Sequence, residues 1–403
     1  MTFENLSNNL FEDQRKSKRL FKDLTNPRNK IHQKCMFSNC EAEAIQSHSI
    51  SKNILKIINN EKVVYPVIDP CNLGNSVEDL ENTTEPNIKF EKKEITNVSK
   101  FRGFCKKHDN DLFEKLDKYG INTQQDIFLQ LYRTTCKFTF EMDKVQESEE
   151  KIFRYQYWSN SEYENKINLS INDLKLSLED MLIDFPELET KLNLNLSENL
   201  VIETISNTQT KKVFVLYTKI PAYFNFALEK DFILKLNDEI AHCVFVLLPG
   251  ENYSNMMFVS SKEIINYILQ QGITSSDIRI LNILESIMIQ DSKFYISPTI
   301  ISNWGNEKLK MIIEDFFFCT ERKFLQEYDI SIFDQLRKAL LNDKPDIVKE
   351  HELKKMNSLP QRKLFQERYQ NYQYMTLKDR HSKLRYTGNK ERKNYPIGPF
   401  EVI

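Results

Sequence analysis

The sequence predicts an α+β protein in which a small N-terminal module precedes a larger mixed α/β domain with long helices. Three observations support this fold class. Cysteines and histidines pair at short spacing near the N-terminus, apolar runs of strand length occur between residues 213 and 261, and helical patterns surround those runs. The chain has 403 residues, 40% of them hydrophobic and 28% charged, which is long enough for two or three globular domains.

Charge is distributed unevenly along the chain, although the net charge is only −2. Residues 1–34 carry 8 Lys or Arg against 4 Asp or Glu, and residues 351–403 carry 12 against 5. Basic ends of this kind suit the phosphate backbone of a nucleic acid. The alternative is a pair of solvated tails that keep the protein soluble.

The sequence shows neither a membrane segment nor a secretion signal, so we expect a cytoplasmic protein with no membrane partner. No run of about 18 apolar residues occurs, and the first residues mix acids and bases without an apolar stretch. The 7 cysteines are an odd number and are widely scattered. In a reducing compartment such cysteines favour metal ligation over disulfides.

Two pairs of metal-ligand residue types define the N-terminal module. Cys35 and Cys40 have four residues between them, a spacing at which a tight turn brings two thiolates onto one ion. Cys105 and His108 have two residues between them, and the apolar residues that follow at one-turn spacing predict a helix. The sequence therefore predicts a structural Cys3His zinc site. The alternative is that the cysteines are buried apolar residues and His108 caps the helix.

Another histidine lies close to the first cysteine pair. The segment AIQSHSI, residues 44–50, predicts a short strand that leaves the cysteine turn, and His48 lies where this strand ends. The simplest interpretations of His48 are a structural hydrogen-bonding residue or a further candidate zinc ligand.

Together these residues resemble the HNH, or ββα-metal, endonuclease module: a cysteine pair, a strand with a histidine, and a helix opened by Cys-x2-His-Asp. The likeness covers about residues 30–120. It implies a treble-clef-like zinc fold that cuts DNA, often as an effector of bacterial defence against phage. His48 would be the general base for a water, and Asp109 would bind a catalytic Mg²⁺ or Mn²⁺ ion.

The chain departs from the family pattern at several positions. Ser47 stands where the family usually has an acidic metal ligand, and Asp109 stands where it usually has histidine. Two alternatives therefore stay open: a non-catalytic treble-clef module that binds nucleic acid or protein, and a role for His108 as the catalytic-metal ligand. The asparagine that normally orients the base has four candidates, which are Asn53, Asn72, Asn75 and Asn87.

Composition and spacing divide the chain into five parts. They are a basic N-terminal segment (1–34), the zinc module (35–120), a helical connecting region (121–200), an α/β domain (201–343) and a basic C-terminal tail (344–403). Within the module, residues at about 59–100 include an acidic, asparagine-rich and weakly periodic run, which predicts an inserted surface loop. In the connecting region, apolar residues between 121 and 142 predict a helix, and a second helix ends before Pro186.

Alternating strand and helix patterns predict the α/β domain. Three apolar runs, residues 213–221, 242–250 and 256–261, have the length and composition of buried strands. Several helices follow, of which the longest is predicted over 307–328. With only 8 glycines in the chain, dinucleotide-binding and P-loop folds have little support. We expect this domain to regulate the zinc module or to bind a partner protein or a second copy of the chain. The basic, aromatic C-terminal tail is expected either to contact nucleic acid or to pack on the core.

Overall fold

The computed structural model describes residues 33–68, 84–153, 167–184, 190–204, 210–237 and 239–371. Most of the predicted basic N-terminal segment and residues 372–403 of the predicted basic tail lie outside this part of the chain. Within it the protein is a mixed α/β structure with a cysteine and histidine cluster near the N-terminus, as the sequence predicts. No helix among the described residues is long and apolar enough to cross a membrane.

Strands and helices occur in groups along the described chain, with five consecutive strands between residues 199 and 260. The strands are β1 (Gln46–His48), β2 (Lys62–Ile68), β3 (Ile88–Glu94), β4 (Lys100–Arg102), β5 (Asn199–Glu203), β6 (Phe214–Pro221), β7 (Ala227–Leu236), β8 (Glu239–Leu248), β9 (Tyr253–Ser260) and β10 (Lys293–Tyr295). The helices are α1 (Lys52–Ile58), α2 (Lys106–Tyr119), α3 (Gln124–Phe153), α4 (Ile171–Asp184), α5 (Lys262–Gln270), α6 (Asp277–Ile289), α7 (Pro298–Ser302), α8 (Asn306–Phe317), α9 (Asp334–Leu340) and α10 (Asp346–Asn357). Residues 365–371 are also helical.

The N-terminal part is built on a strand pair followed by a helix. β1 and β4 pair antiparallel, with His48 opposite Lys100, and α2 begins after a short connection. Between them in the chain, β2 and β3 form a second antiparallel pair. This pair is a correction, because both strands, residues 62–68 and 88–94, fall within the surface loop predicted at about 59–100. In residues 88–94, apolar residues alternate with charged ones, a pattern that fits a half-buried strand; residues 69–83 of the predicted loop lie outside the described residues.

A six-stranded sheet forms the centre of the C-terminal part. Its strand order is β10-β7-β8-β9-β6-β5, and each neighbouring pair is antiparallel. The three predicted apolar runs correspond to β6, β8 and β9, and nearly all of their side chains are buried. Continuous apolar runs therefore mark strands that are covered on both faces.

The helix predicted over 307–328 is shorter than expected. α8 ends at Phe317, and a 3-10 turn follows at Cys319–Glu321. Phe318, directly after the helix, packs against Phe365 of the C-terminal stretch, with 5.2 Å between ring centroids. The helices predicted between 121 and 142 and before Pro186 are confirmed as α3 and α4.

The N-terminal part and the sheet share one apolar core. A single cluster of buried side chains runs from Cys35 to Leu341. α3 lies at the junction, where it contacts α2, α4 and β4 as well as β8 and β9 of the sheet. Val64 of β2 also bridges to Ile296, just after β10. Residues near the start of α2 are therefore held in place partly by the sheet.

A buried ion cluster joins three helices of the C-terminal part. Arg337 of α9 is fully buried and pairs with Glu285 of α6 and Glu352 of α10. We expect Arg337→Met to lower the free energy of unfolding by about 3–5 kcal/mol, because the buried Glu285 carboxylate would lose its cation and Glu352 would keep only Lys355. Urea denaturation measures the change. Lys212→Met removes one partner of an exposed ion pair and should leave the midpoint unchanged; equal losses in the two variants would contradict the prediction.

Candidate metal centre

The first half of the centre is a tight turn between two cysteines. Cys35 and Cys40 flank the segment MFSN, in which Asn39 has a positive φ of 61°. The backbone N–H of Cys40 donates to the carbonyl of Phe37 (3.2 Å), and that of Cys35 donates to the carbonyl of Ala42 (2.8 Å). Asparagine adopts this left-handed conformation more readily than most residues. The local sequence therefore favours a turn that brings both thiols to one side.

The second half of the centre is the start of α2, which main-chain hydrogen bonds hold against the cysteine turn. The N–H groups of Met36 and Ile45 donate to the carbonyls of the two residues before Cys105, at 2.7 and 2.8 Å. Cys105 then forms the N-cap of α2. Because residues three apart lie on the same face of a helix, His108 comes to the same side as Cys105.

The four predicted zinc ligands meet in one cluster. Their ligand atoms all lie within 4.8 Å of one another. Nδ1 of His108 is 3.3 Å from Sγ of Cys35 and 3.5 Å from Sγ of Cys105, and the thiols of Cys40 and Cys105 are 3.9 Å apart. A tetrahedral zinc ion with bonds of about 2.3 Å to sulfur and about 2.0 Å to nitrogen requires sulfur–sulfur and sulfur–nitrogen distances of about 3.8 and about 3.5 Å. The Cys3His cluster is therefore compatible with a bound metal such as zinc.

The protonation of the thiols depends on their surroundings. Burial raises the pKa of the Cys35 thiol to about 11. Burial also acts to raise the pKa of Cys105, but hydrogen bonds from the backbone N–H groups of His108 and Lys107 and from the other two thiols together outweigh it and lower that pKa. A bound zinc ion deprotonates its thiol ligands. Metal uptake by the Cys3His cluster should therefore release protons, and its affinity should fall at low pH.

Side chains from two further helices anchor the cysteine turn. Glu179 of α4 is almost completely buried and accepts hydrogen bonds from the N–H of Ser38 (2.6 Å) and the hydroxyl of Tyr132 in α3 (2.9 Å). The ring of Phe37 packs on the ring of His108, with 4.4 Å between centroids. Such contacts fix the orientation of metal ligands.

His48, the predicted general base, is half-buried at the end of β1. Its Nε2 atom is buried and has no hydrogen-bond partner within the described part of the chain. Burial and the positive charges of Lys52, Lys100 and Arg133 lower the pKa of His48 to about 4. The imidazole is therefore neutral at pH 7, which is the protonation state that a general base requires.

Asp109, the predicted ligand of a catalytic cation, lies in the first turn of α2. Burial raises the pKa of its carboxyl, an effect that the nearby Ser47 hydroxyl and the Arg133 guanidinium oppose. The charges of Arg133 and Asp117 shift the pKa of both this carboxyl and His48. The structure therefore brings Asp109 and His48 within electrostatic range of the same two charges. These electrostatic effects link Ser47, His48, Asp109 and Arg133, and we refer to these four residues together as the His48 pocket.

Three buried polar atoms of the His48 pocket lack a hydrogen-bond partner among the described residues. They are Oγ of Ser47, Nε2 of His48 and Nε of Arg133. The Ser47 hydroxyl is near enough to Asp109 to lower its pKa but makes no hydrogen bond of normal geometry with it. Buried polar atoms without partners are rare in folded proteins, and an ion, a ligand or an ordered water usually explains them.

Two residues of α3, Arg133 and Gln130, connect the His48 pocket to neighbouring elements through hydrogen bonds that the sequence pattern does not predict. Arg133 is only 1% exposed, and it donates to Asp117 Oδ1 (2.7 Å) and to Gln130 Oε1 (3.0 Å). Nε2 of Gln130 in turn donates to the carbonyl of Ser49, directly after His48 (2.9 Å). The amphipathic pattern predicts a core helix here, and the only further signal is that polar residues occupy positions on its apolar face.

A second group of possible metal ligands lies in the C-terminal part. Glu327, His351 and Glu352 come close enough together to hold an ion. Their carboxylates, however, already pair with Arg337 and Lys355. Two adjacent cations disfavour a metal ion at this position.

The Cys3His cluster is the part of the predicted site that the geometry supports directly, as a place for a metal such as zinc. The roles predicted for His48 and Asp109, and a catalytic Mg²⁺ or Mn²⁺ ion, stay predictions. They depend on the chemistry of the His48 pocket, because similarity of fold alone would not assign an activity. In comparisons with known proteins, no family model matches the chain, and neither the curated proteins nor the solved structures contain a significant match.

Proposed function

We propose that the protein is a metal-dependent DNA endonuclease in which His48 is the general base for phosphodiester hydrolysis. The observation that carries the proposal is the arrangement of β1, β4 and α2. His48 ends β1, Asp109 lies in the first turn of α2, and α2 begins at the Cys3His cluster. This strand–strand–helix order is the one that the resemblance to ββα-metal endonucleases implies. A role in defence against phage, with the C-terminal part as regulator or partner-binding domain, is proposed on that resemblance alone.

Each residue of the proposed site has a task that suits its chemistry. His48 is neutral at pH 7 and would accept the proton of the attacking water. Asp109 offers a hard oxygen ligand to Mg²⁺ or Mn²⁺, which would stabilise the charge that develops on the leaving oxygen. The Cys3His cluster would fix the start of α2, and with it Asp109, which directly follows His108.

The charges around His48 favour a phosphate substrate. Lys52 and Lys100 are exposed, and both act on the imidazole strongly enough to lower its pKa. A bound phosphate would offset these positive charges and raise the pKa of His48 toward its ordinary value. His48 would therefore be a stronger base in the complex with DNA than in the free protein.

A non-catalytic nucleic-acid-binding module is the second candidate, and two features of the His48 pocket favour it. Ser47 occupies the position at which the family usually has an acidic metal ligand, and a hydroxyl is a poorer ligand for Mg²⁺ than a carboxylate. Nε2 of His48 also has no hydrogen-bond partner among the described residues that would orient the ring. In this alternative, Lys52 and Lys100 would bind phosphates and no bond would be cut.

Incubation of supercoiled plasmid DNA with the zinc-loaded protein distinguishes the two candidates. We expect nicked and linear products when Mg²⁺ or Mn²⁺ is added, and none when the added cation is omitted. The binding module predicts no cleavage with any divalent cation, but a protein–DNA complex whose affinity falls steeply with salt concentration. A protein that neither cuts nor binds DNA would exclude both candidates and favour a protein-interaction role.

A further inference from the structure

A buried carboxylate of the central sheet reaches the chain beside His48. Glu229 of β7 is 0% exposed. Its Oε2 accepts hydrogen bonds from Nζ of Lys137 (2.6 Å) and Oγ of Ser49 (3.0 Å), and its Oε1 accepts one from Oγ1 of Thr134 (3.2 Å). Lys137 and Thr134 belong to α3, whereas Ser49 directly follows His48. These four residues, Glu229, Lys137, Ser49 and Thr134, form what we call the Glu229 cluster.

Hydrogen bonds hold Ser49 from several sides. Its Oγ lies 2.7 Å from Oγ of Ser99, its N–H donates to the carbonyl of Ser99 (2.8 Å), and its own carbonyl accepts from Gln130 (2.9 Å). The N–H of Ile50 donates to Oγ of Ser99 (2.6 Å). Every polar group of Ser49 is therefore bonded, and the backbone that carries His48 cannot rotate without breaking several of these bonds.

Given the function proposed above, we infer that Glu229 is a positioning residue for His48. It acts through Ser49, whose hydroxyl it binds directly. It also acts through Thr134, because Oγ1 of Thr134 accepts a hydrogen bond from Gln130 (3.0 Å), the residue that holds the arginine of the His48 pocket. One carboxylate of the sheet thus ties together β1 and α3, the two elements that supply His48 and Arg133 to the pocket.

Stability alone does not explain a charged pair at this place in the core. Replacing a buried ion pair with apolar side chains of similar volume is often neutral or stabilising. A carboxylate with three donors, in contrast, fixes the directions of the groups that it binds. The Glu229 cluster lies where such directional control would act on His48.

The double variant Glu229→Gln with Lys137→Met tests this inference in the full-length protein. It removes both charges, so that no buried ammonium group is left unpaired. Asp231→Asn is the matched control, because Asp231 lies two residues further along β7 and pairs with His242 instead of the Ser49 turn. Two quantities are measured: hydrogen exchange of the backbone amides of Ser49 and Ile50, and the kcat and KM of plasmid cleavage.

We expect the double variant to exchange the two amides about tenfold faster or more. Its kcat should fall on the order of 10- to 100-fold with an unchanged KM for DNA, because misplacement of a catalytic group affects the chemical step. The control should match the wild type in both measurements. A double variant whose exchange and kcat both equal those of the control would overturn the inference. If the wild-type protein does not cleave DNA, the proposed function fails, whereas the exchange rates still decide whether Glu229 holds the Ser49 turn.

Discussion

Replacing Cys105 with serine should abolish zinc binding and destabilise the N-terminal part of the protein. We expect the wild type to contain about one zinc ion per chain and the variant to contain close to none, because structural sites of this kind need all four ligands. Structural zinc contributes an apparent binding free energy of about 10–16 kcal/mol in small zinc-finger peptides. Here the turn keeps other contacts, such as that between Ser38 and Glu179, so the loss in unfolding free energy should be smaller, at several kcal/mol.

Metal analysis after dialysis, together with urea denaturation, measures both effects of the Cys105 substitution. Cys243→Ala is the matched control, since Cys243 is another fully buried cysteine but lies in β8, outside the Cys3His cluster. It should retain its zinc and lose only the small stability that a missing sulfur atom costs. Removal of the metal from the wild type by a chelator should lower its free energy of unfolding by about as much as the Cys105→Ser substitution does. If Cys105→Ser retained its zinc, the metal would have to bind outside the Cys3His cluster.

Short-range spacing made the Cys3His cluster predictable, because the chain positions each pair of ligands locally. The turn between Cys35 and Cys40 and the first turn of α2 need only a few residues each. The pairing of β1 with β4 brings these two ligand pairs together, and the hydrophobic pattern predicts this pairing less directly. The sequence predicted the strand at His48 but gave no sign of its partner, because β4 has only three residues.

The polar network around the His48 pocket could not be predicted from the sequence, for a different reason. Gln130 and Arg133 lie in a segment whose apolar pattern predicts a core helix, but the pattern does not specify what a buried polar residue binds. Glu229 lies in β7, a strand that was not among the predicted apolar runs. The Ser49–Glu229 contact spans 180 residues of chain and depends on how the sheet packs against α3. Long-range contacts of this kind have no local signature, so only the folded chain reveals them.

Replacing His48 with glutamine should reduce plasmid cleavage by about 10²- to 10⁴-fold, the contribution typical of a general base. Glutamine keeps a similar size and polarity but cannot accept a proton at neutral pH, so the fold and the zinc content should stay unchanged. His242→Gln is the matched control: His242 is almost fully buried in β8 and bonds Asp231 through Nδ1 at 2.9 Å. That variant should lose stability and retain the cleavage rate per folded molecule. Equal cleavage rates in the two variants would remove His48 from the mechanism.

The pH dependence of cleavage provides an independent test of the same role. The proton-accepting form of His48 persists as pH falls until its pKa is reached, and burial together with nearby cations lowers that pKa to about 4 in the free protein. The profile of kcat/KM reports groups of the free protein, so it should show no decline around pH 6.5, where an unperturbed histidine titrates. The profile of kcat reports the complex, in which the DNA phosphate raises the pKa of His48, so its acid limb should lie at higher pH. A decline of kcat/KM centred near pH 6.5 would mean that a histidine in a more exposed setting, or another group, is the base.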